Sequence, residues 1–250
     1  TLQKNGQAVD LSAKLLVGAD GGQSSVRQLL GIEQQKTDYG QTALVTTVNT
    51  YLPHHNTAFE RFTPFGPLAL LPLGKYQAAV VWTRPPAQAA ELLACSENAF
   101  IAQLQTCFGY RLGELTLAAP RRAFPLTLIR AKKMQAHCSV IIGNAAHQLH
   151  PVAGQGFNLG LRDVMQLAKM LLKQQDSGDI GAADFLDRYA QARQSDHDKV
   201  IHFTDSVVKL FSNAHLPIAA ARNLGLTLLD HLPFAKRQLA QQAMGLMDFN

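Results

Sequence analysis

The segment from Ser139 to Asp163, SVIIGNAAHQLHPVAGQGFNLGLRD, constrains this chain more than any other. Ser139 to Gly143 is a short apolar run ending in glycine, the pattern of a buried strand. Residues 144–156 are small or polar and read as a loop. A helix follows from near Phe157, with Phe157, Leu161, Val164, Met165, Ala168, Leu171 and Leu172 at the spacing of one core-facing stripe. Gly154-Gln155-Gly156 at the junction lets the backbone approach a flat ligand closely. The first N–H groups of such a helix lack intrahelical partners, and with the helix dipole they favour negative charge.

Gly154, Gly156 and Gly160 give G-x-G-x-x-x-G, close to a dinucleotide fingerprint. That fingerprint needs its glycines directly after a strand. Here Asn144 to Ala153 intervene, so the pyrophosphate reading fails for this loop. An isoalloxazine ring fits better, because its N1–C2=O edge gains negative charge on reduction. For Gly-Gln-Gly alone, a ligand-free strand–helix connection is an equal reading.

A second segment precedes it. Leu15 to Val17 is a short apolar run, the pattern of a buried strand, entering a glycine turn at Gly18. Asp20-Gly21-Gly22-Gln23-Ser24-Ser25-Val26-Arg27 follows. Ser24 or Ser25 caps a short helix carrying Val26, Leu29 and Leu30, and Gly31 ends it. Asp20 either accepts from a ligand hydroxyl or fixes the turn as an Asx-type cap, and on its own the cap is the better reading.

Between these segments the period changes from helical to two. Residues 42–51, 59–63, 68–73, 77–83 and 123–129 are strand candidates separated by Pro and Gly. Gly74-Lys75 reads as a hairpin turn. Residues 97–108 have helical spacing through Phe100, Ile101, Leu104 and Phe108. The block reads as an antiparallel sheet with a helix. Phe62, Phe65 and Trp82 form either an aromatic wall for a ring substrate or ordinary sheet core. Helical stretches at 183–211 and 217–247 close the chain, the last broken at Pro233.

Several classes are excluded. No run of about 18 uncharged apolar residues exists, so no spanning helix is expected. Lys+Arg 23 against Asp+Glu 18 gives a net charge of +5, and the basic pairs Arg121-Arg122, Lys132-Lys133 and Lys236-Arg237 make no stripe for nucleic acid. Cys95, Cys107 and Cys138 are odd in number with no CxxC spacing, against a disulfide framework or zinc site and in favour of a reducing compartment. His147 and His150 lack further ligands nearby in sequence, so no metal is expected.

The motifs Ala19-Asp20-Gly21-x-x-Ser24-x-Val26-Arg27 and Gly143-Asn144-Ala145-Ala146-His147, with Pro151, Gly154-Gln155-Gly156, Asn158, Gly160 and Asp163, resemble the flavin aromatic hydroxylases of the para-hydroxybenzoate hydroxylase type. Phe59-Glu60-Arg61-Phe62-Thr63, Gly66-Pro67-Leu68-Ala69, Leu71-Pro72, Leu149-His150-Pro151, Arg193-Gln194-Ser195-Asp196 and Thr204-Asp205-Ser206 are similar to the ubiquinone-biosynthesis branch of that family. The resemblance covers nearly all of the chain.

It implies an α/β (α+β) chain. Residues 1–36 would be the rear part of an FAD-binding Rossmann-like domain, 37–135 an antiparallel-sheet substrate domain, 136–176 the ring-binding loop and helix, and 177–250 C-terminal helices. Asp20 and Gly21 would lie near the ribityl–pyrophosphate region, with Arg27 supporting that turn. Asn144 would contact the ribityl chain and Pro151 would lie beside the ring. Gly154, Gln155, Gly156, Phe157 and Asn158 would wrap the pyrimidine edge. A helix-surface ion pair or cap is an equal reading for Arg27 and Asp163.

Two departures stand out. Asn144 replaces the Asp common in the family, accepting hydrogen bonds without charge. The glycine-rich front βαβ unit that holds the ADP part of FAD is absent. The start, TLQKNGQAVD, reads like the middle of a hairpin, as expected for the rear part of a longer flavoprotein.

The implied activity is hydroxylation of a polyprenylated phenol by FAD, NAD(P)H and O2 through a flavin C4a-hydroperoxide. The phenol-activating residue is not identified. Expected partners are that substrate and a ubiquinone-biosynthesis assembly, with no nucleic acid. The expected location is cytoplasmic, with peripheral contact at the inner membrane through Leu216, Ile218, Leu224, Leu228, Leu229, Leu232 and Phe234. For that stripe, packing on the flavin domain is the stronger reading. The alternatives are a related hydroxylase acting on another ring carbon or on a soluble aromatic acid, and an inactive interaction module.

Overall fold

Period-two and period-3.6 patterns settle the elements of the computed structural model, which describes residues 2–4, 6–174, 178–211, 225, 227 and 231–237. In chain order the strands are β1 (Leu2–Lys4), β2 (Gln7–Val9), β3 (Leu16–Gly18), β4 (Gln34–Thr50), β5 (Phe59–Thr63), β6 (Gly66–Pro72), β7 (Gln77–Arg84), β8 (Leu115–Leu117), β9 (Arg122–Ala131), β10 (Gln135–Ala136), β11 (Ser139–Ile141) and β12 (His147–Gln148). The helices are α1 (Ser25–Leu29), α2 (Pro86–Ala94), α3 (Glu97–Phe108), α4 (Gln155–Lys173) and α5 (Ala183–Phe211). Two single 3₁₀ turns, Gly143–Ala145 and Val152–Gly154, punctuate the loop before α4.

Contacts divide the chain into two units, Thr1–Thr37 with Leu128–Phe203 and Asp38–Thr127 with Thr204–Asn250. In the first, β1 and β2 form the expected hairpin, Leu2 opposite Val9. A three-stranded sheet has the order β10-β11-β3. Beneath it Val140, Ile142, Leu167, Phe185, Leu186 and Tyr189 form a buried core. A second cluster joins Ile141, Ala145, Ala146, Ala131 and Met134 to Val26 and Leu30 of the α1 segment.

The second unit is built on the antiparallel run β4-β7-β6-β5, with β8 paired to the end of β4. In β7 alternate residues Ala78, Val80 and Trp82 turn to one face, where α2 and α3 cover them with Ala89, Leu92, Phe100, Leu104 and Phe108. Trp82 is fully buried and meets Phe100 edge-on at 5.7 Å between ring centroids.

The structure departs from expectation in several places. Strand β3 is not buried: Leu16 and Val17 are exposed, because among the described residues β3 is the edge strand of its sheet. Of the two readings for Phe62, Phe65 and Trp82, the aromatic wall does not form, and Trp82 is sheet core. Phe62 pairs with Pro67 while Trp82 pairs with the next residue, Leu68, so the period of two puts the two rings on opposite faces. Phe62 stacks instead on Phe211 at 4.2 Å. Phe65 stands in the β5–β6 turn, exposed, with the Arg84 guanidinium over its ring.

The units also cut the chain differently from the expected segments 37–135 and 177–250. Strand β9 runs past Thr127 into the first unit, where Ile129 and Arg130 pair with β12. Helix α5 joins the same unit over its first turns, because Phe185, Leu186 and Tyr189 fill that core. Helix α2 was not expected. The pair Pro85-Pro86 reads as a breaker, but Pro86 occupies the first helical position, where a missing N–H costs nothing.

The largest correction concerns α4, which buries Gln155, Leu159, Asp163 and Leu167. Phe157, Leu161, Val164, Met165, Ala168 and Leu172 of the expected core stripe are exposed, and only Leu171 packs, against the Tyr189 cluster. Most of the expected helix 217–247 lies outside the described residues; within it, Pro233 opens a helical stretch at 233–237.

The two faces of the sheet yield a test. Removing the Trp82 side chain should cost about 3–5 kcal/mol by opening a cavity in a filled core. Phe62→Ala, on the half-buried opposite face, should cost clearly less. Urea titration of both variants checks the order, and equal losses would contradict the assignment of faces.

Candidate functional site

The site is laid out by two strands of the first unit. β3 and β11 run parallel, Val17 opposite Val140 and Gly18 opposite Ile141. Parallel pairing sets their carboxyl ends side by side, which is where open α/β sheets bind ligands. The ladder runs one step further, Ile142 N–H donating to the Gly18 carbonyl at 2.9 Å. The chain then leaves β3 through Ala19-Asp20-Gly21 and β11 through Gly143-Asn144-Ala145. The two motifs expected to meet a flavin thus begin as neighbours.

Asp20 organises the first turn. Its carboxylate accepts from the Ser24 hydroxyl and, at 3.0 Å, from the Val26 N–H. The Ser24 hydroxyl holds its pKa below the ordinary carboxylate value. Ser24 is the cap of α1, its Oγ accepting from the Arg27 N–H at 2.9 Å. The Asx-type reading of this turn is therefore realised, while Asp20 stays exposed.

Arg27 is no surface ion pair. Its side chain is buried, with Nη1 donating to the Ala145 carbonyl at 2.7 Å and Nη2 to the Gly22 carbonyl at 2.9 Å. One guanidinium thus braces the first turn against the second.

In the second motif Asn144, Pro151 and Gly154 are exposed, Gly156 and Asn158 are half-buried, and Phe157 is exposed. The Gln155 side chain is buried, so what it offers at the helix entrance is backbone. Gly154 takes φ +62° at the N-cap of α4 and, lacking a side chain, contributes no cap to that end. Its first-turn N–H groups therefore remain available to an acceptor. A Cβ built on Gly21 or Gly154 meets no atom within 4 Å, so both turns border open space.

Behind this surface lies Asp163, for which a helix-surface ion pair or cap is one of two equal readings of the sequence. Asp163 is fully buried and accepts four hydrogen bonds. Oδ2 takes the Gly143 N–H at 3.0 Å and His147 Nε2–H at 3.0 Å. Oδ1 takes His197 Nε2–H at 2.7 Å and Arg193 Nε–H at 2.8 Å. Arg193 also pairs with Asp196, which pairs with Arg162 on α4. Burial raises the carboxyl pKa, but the His147 and His197 hydrogen bonds outweigh it and hold Asp163 far below its ordinary value. His147 Nδ1 has no partner among the described residues, and burial pushes its pKa down. The signal for this burial was present: Asp163 stands four residues from both Leu159 and Leu167, on their face of the helix.

One ligand atom from each of His147, Asp163 and His197 falls within 4.8 Å of the others. His150 is not among them. It is a turn residue whose Nδ1 accepts from the Val152 N–H at 3.2 Å, and burial lowers its pKa to about 4. The trio has the donor types of a metal site, but the Arg193 guanidinium already occupies Oδ1 of its single carboxylate. That makes it a hydrogen-bonded ion cluster.

Folded, His147 and His150 resist protonation; unfolded, they take a proton near 6.5. Stability should be complete above pH 6.5 and fall as pH drops toward about 4, with protonation of the lowered Asp163 costing more below its ordinary 3.8. His147→Gln keeps a donor for Asp163 and removes one titrating ring, so its thermal midpoint should depend less on pH in this window. Equal slopes for wild type and variant in a thermal series would refute this assignment.

Comparison with known proteins follows the same outline. Residues 1–204 match the family model described as FAD binding domain. The chain is 41% identical over 242 residues to "Ubiquinone hydroxylase UbiL" of Rhodospirillum rubrum, covering 96% of this chain and 56% of the relative. It is 36% identical to "3-demethoxyubiquinol 3-hydroxylase" of Escherichia coli, covering 97% of this chain and 62% of the relative. The chain thus spans less than two thirds of the length of these curated relatives. Among solved structures, the anhydrotetracycline hydroxylase OxyS of Streptomyces rimosus superposes with TM-score 0.66 at 26% identity, covering 93% of this chain and 46% of that one. With its strand ends, its paired turns and four fifths of its length matched, the chain belongs to the FAD-binding domain family.

Proposed function

We propose that this chain is part of an FAD-dependent monooxygenase that hydroxylates the ring of a polyprenylated phenol in ubiquinone biosynthesis, with NAD(P)H as reductant and O2 as oxidant. The observation that carries the reading is the geometry of the two turns. Asp20–Gly22 and Gly143–Ala145 leave adjacent parallel strands, are bound together by Arg27, and face open space at Gly21. The names of the relatives, a ubiquinone hydroxylase and a demethoxyubiquinol hydroxylase, support the substrate class. In the same reading the protein works in the cytoplasm at the inner-membrane face, beside other enzymes of the pathway.

The residues present fit the cofactor. The uncapped first turn of α4 offers N–H donors where a side chain would otherwise sit, and the left-handed Gly154 keeps Cβ atoms away from that entrance. Those donors suit the electron-rich pyrimidine edge of a reduced ring. Asn144, exposed beside the Asp20 turn, would hold the ribityl chain through its amide oxygen. Asp20 keeps acceptor capacity beyond its two contacts for a cofactor hydroxyl. Pro151 and Phe157, both exposed, would border the ring and exclude water from it. When bound, FAD supplies the activation of O2 and the transfer of one oxygen atom to the substrate ring.

The test begins with colour. The purified full-length protein of which this chain is a part should carry, or take up, FAD with its visible absorption. With NAD(P)H and a prenylated phenol it should return a product heavier by one oxygen. Asn144→Ala should weaken FAD binding roughly fivefold, the equivalent of one lost hydrogen bond of about 1 kcal/mol. A protein that stays colourless in excess FAD would defeat the proposal.

A further inference from the structure

Asp163 has no evident part in ring chemistry, yet one of its oxygens holds the backbone of the turn that presents Asn144. We propose that Asp163 is a positioning residue for the flavin, fixing the Gly143–Ala145 turn and the Gly154–Asn158 entrance of α4 as one rigid piece. The inference rests on the functional reading above and assigns this buried carboxylate a task within it.

Three observations carry it. First, the Gly143 N–H donates to Asp163 Oδ2 at 3.0 Å, immediately before Asn144 in the chain. Gly143 has φ +56°, a left-handed conformation that glycine adopts without the usual cost, and the hydrogen bond selects it. Second, the turn lies directly on α4. A Cβ on Gly160 would come within 3.2 Å of Gly143 Cα, so helix and turn meet glycine to glycine. Asp163 sits three residues after Gly160, close to one helical turn, and closes that contact. Third, the carboxylate cannot rotate. Its second oxygen is held by His197 and Arg193 from α5, while His147 shares the first. The ring loop opens the same helix at Gln155, so both cofactor segments are referred to one element.

A merely structural ion pair would need Arg193 and Asp163 but not the Gly143 N–H. A positioning group must have it. The two roles therefore separate in flavin affinity and spectrum rather than in stability alone.

In Asp163→Asn the amide nitrogen must face one of the two pairs of donors, and that pair loses its acceptor. FAD Kd should rise at least tenfold, with a shift in the visible band of the bound flavin. Gly160→Ala should press on Gly143 without touching any charge. Alanine is the better helix former, so the thermal midpoint should hold or rise while FAD Kd rises severalfold. Arg130→Gln, which breaks the Arg130–Asp198 pair outside the cluster, is the control and should leave FAD Kd unchanged. Should Asp163→Asn fail to fold, Gly160→Ala decides. If wild type takes up FAD and both variants bind it within twofold of wild type, the positioning role is overturned while the function stands. The same holds if Kd merely tracks the thermal midpoint across all three variants. If wild type takes up no FAD, the functional reading falls and this inference falls with it.

Discussion

A carboxylate removed from water must be paid back with donors, and at Asp163 four of them converge. They come from a strand end, a two-residue strand, and two points on α5. Breaking a buried pair by removing one partner leaves an uncompensated charge, which is far more damaging than never having built the pair. The consequence is mutual dependence. The Gly143 turn, the entrance of α4 and the first turns of α5 hold their places together. The apolar packing of Leu167 against Phe185, Leu186 and Tyr189 brings α4 and α5 together, but such contacts are non-directional. The hydrogen bonds to Asp163 add the direction.

A second brace works at right angles to this logic, through a cation and carbonyls. Arg27 links the Gly22 and Ala145 carbonyls, so the turn after β3 follows the turn after β11. Ala145 is one residue from Asn144 and two from Gly143, which Asp163 holds from the other side. The short segment 143–145 is thus clamped between a buried guanidinium and a buried carboxylate. Neither side chain is left for a ligand, and both determine how Asn144 is presented.

Much of this was legible in sequence, and the parts that were not share a cause. Residues 97–108 and 183–211 have the helical spacing and the structural helices match them end to end. Residues 59–63 do the same for β5. Each has a period that local pattern alone reports. What failed was the choice of face. In α4 most of the large apolar side chains lie on the exposed side, and the buried side carries Gln155 and Asp163 beside Leu159 and Leu167, polar positions that hydrophobicity does not count. In the sheet, Phe62 and Trp82 looked alike by composition, and only the register of β5 on β6 and β6 on β7 separates them. The motif residues were found because their types carry chemistry. Their partners Arg193 and His197 come from 30 and 34 residues beyond Asp163; Arg193 stood in a motif that gave it no role, and His197 had no local signature.

The charge pattern of the cluster explains why it tolerates so complete a burial. Two carboxylates, Asp163 and Asp196, face two guanidinium groups, Arg193 and Arg162, in a continuous chain of contacts. The imidazole of His147 adds a donor to this balanced set without adding charge, since burial disfavours its protonated form. Its second nitrogen faces no partner among the described residues, so a proton arriving there would bring a net positive charge with nothing to receive it. A glutamine at position 147 would preserve the donor, whereas a lysine would break the balance. The chemistry of this position is therefore set by charge count as much as by shape, and the same arithmetic withdraws the cluster's contribution to stability as pH falls below 6.5.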